Sequence, residues 1–218
     1  MIVAIDGPAG SGKSTVAKLV AQKLGFSYID TGAMYRAVAY KLIKDKISVE
    51  DVSTVLDGLN LQFIEVDNQI RIILDGEDIT DKIRTEQVGK VASQIATIPE
   101  VRKALVKLQR NMALQKENAV LEGRDIGTVV FPNADLKIFL TAQPEERARR
   151  RYIQLKEKGL AVSYEEILKM ILNRDKNDTQ RKEAPLKPSK DAIILDTTGK
   201  SIDEVVDFIL EKAKKLKT

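Results

Sequence analysis

The chain has 218 residues, 43% hydrophobic and 31% charged, with 36 basic against 32 acidic side chains and a net charge of +4. That length buries a real core, and the near balance of charge makes no case for a nucleic-acid partner while suiting small anionic substrates. There is no cysteine and no histidine, which excludes disulfides, zinc-thiolate centres and imidazole bases, so any chemistry runs on carboxylates, cations and hydroxyls.

Residues 2–6, Ile-Val-Ala-Ile-Asp, form a short apolar run suited to a buried parallel strand, and Val16, Leu19, Val20 and Leu24 then recur at helical spacing up to Gly25. Between them stands Gly7-Pro8-Ala9-Gly10-Ser11-Gly12-Lys13-Ser14-Thr15, which fits G-x-x-x-x-G-K-[ST] in the strand-turn-helix setting that a P-loop requires. Its glycines let backbone N–H groups turn inward around an anion, and the following helix adds the positive end of its dipole. Lys13 is expected to reach the β- and γ-phosphates of a nucleoside triphosphate and the Ser14 hydroxyl to hold Mg²⁺. No basic-then-apolar leader precedes this motif and no apolar run approaches 18 residues, so a cytoplasmic protein without membrane contact is expected.

Residues 26–30 read as a second strand running into Asp30-Thr31-Gly32-Ala33-Met34-Tyr35-Arg36, where a small polar turn opens a helix. Ligands of open α/β sheets bind beyond the carboxyl ends of the strands, which places Thr31, Tyr35 and Arg36 towards whatever the triphosphate meets. Taken alone, Arg36 reads first as a solvated helix charge, and only its position argues otherwise. From residue 61 to 79 the apolar residues alternate, with turn signals at residues 67–68 and 75–76, predicting a small antiparallel meander inserted beside the main sheet.

Helical stripes resume at Val88, Val91, Ala92 and Ile95, and after Pro99 at Val101, Leu105, Leu108 and Met112. Ser93 and Arg102 lie off those stripes and read on their own as exposed polar groups. Residues 119–123 form a third core strand ending in Gly123-Arg124-Asp125-Ile126-Gly127-Thr128; an adjacent Arg-Asp between glycines at a strand end points to a ligand contact. Residues 136–142 form a fourth strand. A helix from Pro144 then carries Arg147, Arg149, Arg150 and Arg151 up to Gly159, either a solvated basic helix paired with Glu145 and Glu146 or a mobile lid swinging over transferring phosphates.

Ser163 to Glu166 reads as a capping box, and Ile167, Leu168, Ile171 and Leu172 follow on one face. Arg174, Asp178 and Arg181 continue at i, i+4 and i+7, and charges prolonging an apolar face favour a ligand site over a structural pair. Pro185 and Pro188 break this helix, residues 192–197 form a fifth strand, and a second capping box from Ser201 to Glu204 opens a last helix with Ile202, Val205, Val206, Ile209 and Leu210 inward. The fold expected is therefore α/β: a five-stranded parallel sheet flanked by helices, with an inserted antiparallel meander and a mobile lid. It is expected as one P-loop kinase domain over residues 1–218. Within it lie a region at about 31–98 that includes the insert near 61–79, and the lid at about 147–165.

Phosphoryl transfer is mostly positioning and electrostatic stabilisation, for which one lysine and many arginines suffice. A phosphate-monoester acceptor is already an anionic nucleophile near neutral pH and needs no general base, so the absent histidine is no obstacle. A regulatory GTPase would carry an Asn-Lys-x-Asp signature, which is missing, and an RNA-binding protein would show a larger basic excess. Another small-molecule or nucleotide kinase is the alternative.

Across nearly its whole length the sequence resembles the bacterial cytidylate kinases among the nucleoside monophosphate kinases. Beyond the P-loop, the marks are residues 30–36, the run Gly123-Arg124-Asp125-Ile126-Gly127-Thr128-Val129-Val130-Phe131-Pro132, and Arg174-Asp175-Lys176-Asn177-Asp178-Thr179-Gln180-Arg181. The resemblance implies transfer of the γ-phosphoryl group of ATP, with Mg²⁺, to CMP and dCMP by a monomer with no obligate protein partner. It implies that Arg36 and Arg124 grip the acceptor phosphate with Arg181 close by, that Ser93, Arg102 and Asp125 read cytosine, and that Thr31, Arg174 and Asp178 hold the sugar. The resemblance also makes the region at about 31–98 the monophosphate-binding one; Tyr35 is expected to join the acceptor site, and Lys13, Arg147 and Arg151 to act on the phosphates in transfer. The pattern departs in one respect: no strand ends in an unmistakable Walker-B aspartate, and Asp6, Glu122 and Asp125 all remain candidates for the carboxylate beside Mg²⁺.

Overall fold

The computed structural model describes residues 1–66 and 69–216, and the turn expected at residues 67–68 lies outside them. The chain divides into two compact units, one of Met1–Asp30 and Arg110–Thr218 and the other of Thr31–Gln109.

The first unit is built on β1 (Ile2–Asp6), β2 (Ser27–Asp30), β6 (Ala119–Gly123), β7 (Leu136–Thr141) and β8 (Ile193–Asp196), all parallel, in the order β2-β6-β1-β7-β8. β1 is central because it is apolar on both faces, and Val3, Ala4 and Ile5 have no exposed surface. Chain order reverses about β1, so the loop after it opens at the topological switch point where open α/β sheets bind ligands. α1 (Lys13–Leu24) and α8 (Ile202–Lys215) close one core with β1 and β7, in which Val16, Val20, Val205, Val206 and Ile209 bury their side chains against Val3, Ile5 and Ile138. Truncating a core residue such as Ile5 to alanine costs about 2–5 kcal/mol, since packing cannot collapse into the cavity. Ile202 stands outside that core: it is the first residue of α8 and is exposed.

α6 (Pro144–Glu157) and α7 (Tyr164–Gln180) pack on each other through Ala148, Ile167 and Ile171, with Tyr152, Leu155, Tyr164 and Leu168 around them. At the start of α7 the Ser163 hydroxyl accepts from Glu166 N, whereas at Ser201 both halves of the reciprocal box are made. The α7 face is narrower than expected. Leu172 is exposed, and the buried line runs Ile167, Ile171 and Asp178, steps of 4 and 7 that keep one side of a 3.6-residue helix. The helix ends at Gln180, ahead of Pro185, so Arg181 is its extended cap residue and does not lie on its face.

The second unit holds α2 (Thr31–Asp45), the short α3 (Ser53–Leu56), the antiparallel sheet of β3 (Leu61–Val66), β4 (Gln69–Leu74) and β5 (Glu77–Asp78), and α4 (Glu86–Ile95). α5 (Pro99–Leu114) begins here and its last turns belong to the first unit. Asp75 and Gly76 both take positive φ, 50° and 83°, as a two-residue primed hairpin turn demands. Lys44 and Lys82 both reach the Glu77 carboxylate, and Lys41 pairs with Asp75 at 2.6 Å, which ties the small sheet to α2.

Candidate active site

The loop after β1 is shaped by contacts that only glycine allows. A side chain at Gly7 would place its Cβ 2.1 Å from Leu140 O, and at Gly10, where φ is +75°, it would press on Arg147. Gly12 caps α1 in the left-handed region, and Ser11 Oγ donates to Pro8 O at 2.9 Å. Lys13 folds back inside the loop: it is buried, and its Nζ donates to Pro8 O at 2.7 Å. Burial holds its pKa well below the ordinary lysine value, with the Arg124 guanidinium adding to the effect and Glu122 opposing it. A lysine so placed is desolvated and hydrogen-bonded to a neutral carbonyl, and the phosphates of a nucleotide are the anions its charge would suit.

Around Lys13 the first unit gathers several of the expected residues. Arg124, Arg174, Glu122 and Asp178 all act on its charge. Arg124 Nε donates to Asp178 Oδ2 at 3.0 Å, so two residues from separate motifs form one pair, with Asp178 buried and Arg124 partly exposed. Arg181 Nε donates to Ala184 O at 2.7 Å, and Ala184 takes φ +45°. A non-glycine residue there carries strain on the order of 1 kcal/mol, of the kind found beside binding sites.

The three carboxylates weighed for the metal separate cleanly. Asp6 spends both oxygens on backbone, accepting from Ile126 N at 2.8 Å and Gly127 N at 2.7 Å. Burial raises its pKa to about 6 against the pull of those two donors. Glu122, at the end of β6, is buried, hydrogen bonds to Ser14 and accepts from Tyr28 Oη at 2.8 Å. Its pKa is raised by burial and by Asp30. Asp125 is buried in the turn that follows. Glu122 is thus joined to the P-loop hydroxyl of Ser14.

On α6, Arg147, Arg149 and Arg150 have protein partners. Arg147 is buried and donates to Ala142 O, Ala9 O and both oxygens of Asp175. Arg150 donates to Glu146 and to Thr197, and Arg149 pairs with Glu146 at 3.5 Å while largely exposed. Arg151 is exposed on the same helix.

In the second unit neither Arg36 nor Arg102 is a solvated surface charge. Arg36 Nη1 donates to Ile83 O at 2.8 Å and Thr85 O at 3.3 Å, and its guanidinium lies where a Cβ at Gly89 would come within 3.0 Å. Arg102 is buried, donates to Ala96 O at 3.1 Å and sits 5.9 Å from the centre of the half-buried Tyr35 ring. Ser93 Oγ donates back to Gly89 O at 3.1 Å, and Thr31 is buried at the start of α2. Sequence reasoning passed over Gly89, Asp175, Arg110 and Thr197. Gly89 left a signal, as an isolated glycine within a helical pattern, and Asp175 stood inside the run at 174–181 without a role.

A phosphate loop at the switch point, a buried lysine and arginines tied in place from several elements describe a site built for anions. The family model described as cytidylate kinase matches residues 3–215. The chain belongs to the cytidylate kinase family. It is 51% identical over 212 residues to a cytidylate kinase from Caldicellulosiruptor bescii, covering 96% of this chain and 93% of the relative. With a cytidylate kinase from Carboxydothermus hydrogenoformans it shares 50% over 214 residues, covering 97% and 96%. A shikimate kinase structure from Bacteroides thetaiotaomicron superposes with a TM-score of 0.50 at 12% identity over 98% of each chain, a likeness of fold alone. As a member of the cytidylate kinase family the protein is a nucleotide-binding phosphotransferase, and no helix among its described residues is long and apolar enough to cross a membrane.

Proposed function

We propose that the protein transfers the γ-phosphoryl group of ATP to CMP and dCMP, giving ADP and CDP or dCDP, as a cytoplasmic monomer. The observation that carries this reading is the gathering of Arg124, Arg174 and Asp178 around the buried P-loop Lys13 in a cytidylate kinase family chain. Residues 7–15 cradle the ATP phosphates through their backbone amides, and Lys13 exchanges its carbonyl partner for phosphate oxygens as charge builds in transfer. Arg36 and Arg124 hold the acceptor phosphate with Arg181 nearby. Thr31, Arg174 and Asp178 take the sugar, Tyr35 flanks it, and Ser93, Arg102 and Asp125 address cytosine. Asp125 suits that task because an ionised carboxylate accepts from the cytosine N4 amine and repels the O4 of uracil.

The Ser14 hydroxyl, hydrogen-bonded to Glu122, offers the kind of hard oxygen ligand that would hold Mg²⁺, which would supply neutralisation of phosphate charge. Residues 147–165 serve as the lid, with Arg147 as its fixed root and the exposed Arg151 the group that reaches the phosphates. Gly159, at φ +74°, lies in the exposed stretch at 158–161 that follows α6, where such a segment bends. An acceptor screen with ATP and Mg²⁺ tests the reading. CMP and dCMP are expected to exceed UMP, AMP and metabolite alcohols in kcat/KM, and an alcohol as the preferred acceptor overturns it.

A further inference from the structure

The residues given roles so far leave open what fixes the loop that carries Arg124 and Asp125. That loop leaves β6 at Gly123 and immediately makes a five-residue π-turn, Ile126–Val130, a rare local structure often found at functional sites. Asp125 enters it at φ −148° and ψ 25°, outside the regular helix and strand regions, and its carbonyl accepts from Val129 N at 2.8 Å and Val130 N at 3.2 Å. A turn of this kind leaves its first amides and last carbonyls without partners inside itself.

Both ends are met by side chains from other elements of the same unit. The Asp6 carboxylate takes the two leading amides, Ile126 N and Gly127 N. Arg110, on the last turns of α5, takes two closing carbonyls, with Nε to Val130 O at 2.8 Å and Nη2 to Val129 O at 2.7 Å. Charge assistance strengthens each of these bonds, and the planar fork of arginine matches two successive carbonyls in a way a lysine cannot. The space between the clamps is tight. A Cβ at Gly127 would lie 3.4 Å from Asp6 Oδ2 and 3.2 Å from Lys137 Cδ, and Lys137 itself donates to Pro132 O and to Asp191.

We propose that Asp6 and Arg110 are positioning residues for base selection: together they set the backbone from which Asp125 addresses the acceptor base, without touching that base themselves. The inference rests on the reading of Asp125 given above and adds two residues that no motif assigns. Arg110 is the better handle, because it lies at the surface and its loss empties no core.

The test combines hydrogen exchange over residues 123–131 with steady-state kinetics on CMP and UMP for wild type, Arg110→Ala, Arg110→Lys, Asp6→Asn and Asp125→Asn. In Arg110→Ala exchange is expected to rise at least tenfold in that segment alone. The CMP to UMP ratio of kcat/KM should fall several-fold, KM for ATP should stay within twofold, and Arg110→Lys should recover only part of the ratio. Asp6→Asn, which keeps one acceptor and places a donor against the second amide, should act in the same direction. Unchanged exchange in Arg110→Ala overturns the clamp whatever the kinetics. A loosened loop with an unchanged ratio, while Asp125→Asn narrows that ratio, overturns the selective role and leaves the Asp125 reading standing. A ratio that Asp125→Asn does not move removes the base-reading assignment and the proposal with it.

Discussion

Arg147 and Asp175 form a two-pronged pair, Nη1 to Oδ1 at 2.9 Å and Nη2 to Oδ2 at 2.5 Å, that joins α6 to α7 while the same guanidinium reaches Ala9 O in the P-loop. The arginine side chain is 4% exposed and the aspartate 23%, so the two partners are not equivalent. Removing the aspartate strands a buried cation, whose remaining carbonyl partners do not neutralise it. Asp175→Ala is expected to lower stability by about 2 kcal/mol, and Asp175→Asn by about half as much because the amide oxygen still accepts. Urea unfolding of the three proteins checks this, and equal midpoints would show that the pair contributes nothing net.

Lys13 separates stability from activity. Its folded-state pKa is pulled below the ordinary value chiefly by burial, so the charged form disfavours folding below the unfolded pKa. Lys13→Met keeps the stem and drops the charge. It should melt no lower than wild type while kcat falls by about 10²–10³, the usual effect of removing one preorganised donor to developing charge. A variant with near-normal kcat would remove Lys13 from the transfer step.

Asp6 makes stability depend on pH in the direction opposite to a salt-bridged carboxylate. Its folded pKa is raised to about 6 from 3.8, so between those values the native state binds a proton that the unfolded state does not. Its contribution therefore increases as pH falls from about 6 towards 4, by at most about 1.4 kcal/mol per unit. Measured as wild type minus Asp6→Asn in urea unfolding, the stability difference should shift towards wild type as pH drops from 7 to 4.5. A difference independent of pH would mean that Asp6 titrates normally.

Gly89 is predicted to be a functional glycine in a helix that would otherwise favour alanine. Gly89→Ala gains up to about 1 kcal/mol of helix propensity, offset by a 3.0 Å approach to the end of the Arg36 side chain. The guanidinium can give way by a few tenths of an ångström. Melting is therefore expected to change little while KM for CMP rises about tenfold, and an unchanged KM would show that Arg36 does not need its observed place.

The P-loop, the parallel strands and the meander were legible in the sequence, because each is a local pattern: fixed glycine spacing, an apolar run, alternation between turn residues. β6 was read to the residue, while β2 and β8 came out shorter by one or two residues at their ends, where pairing and not composition stops a strand. The motifs around Arg124, Arg174 and Asp178 also stood out as places where charge interrupts an apolar pattern. What the sequence could not reveal was who meets whom. Arg102 reads as exposed from its position off a stripe, yet it is buried beside Tyr35, since helical period reports only the face turned to one neighbour and says nothing of a second. The pairing of Arg147 with Asp175 spans 28 residues and that of Asp6 with Ile126 spans 120. Such contacts exist only once β6 has been placed beside β1 and α7 against α6. Local spacing determined that this chain carries a phosphate loop; the order of its strands and the packing of its helices decided that Glu122 meets the P-loop hydroxyl, that Arg147 is locked, and that the turn at Ile126–Val130 is held at both ends.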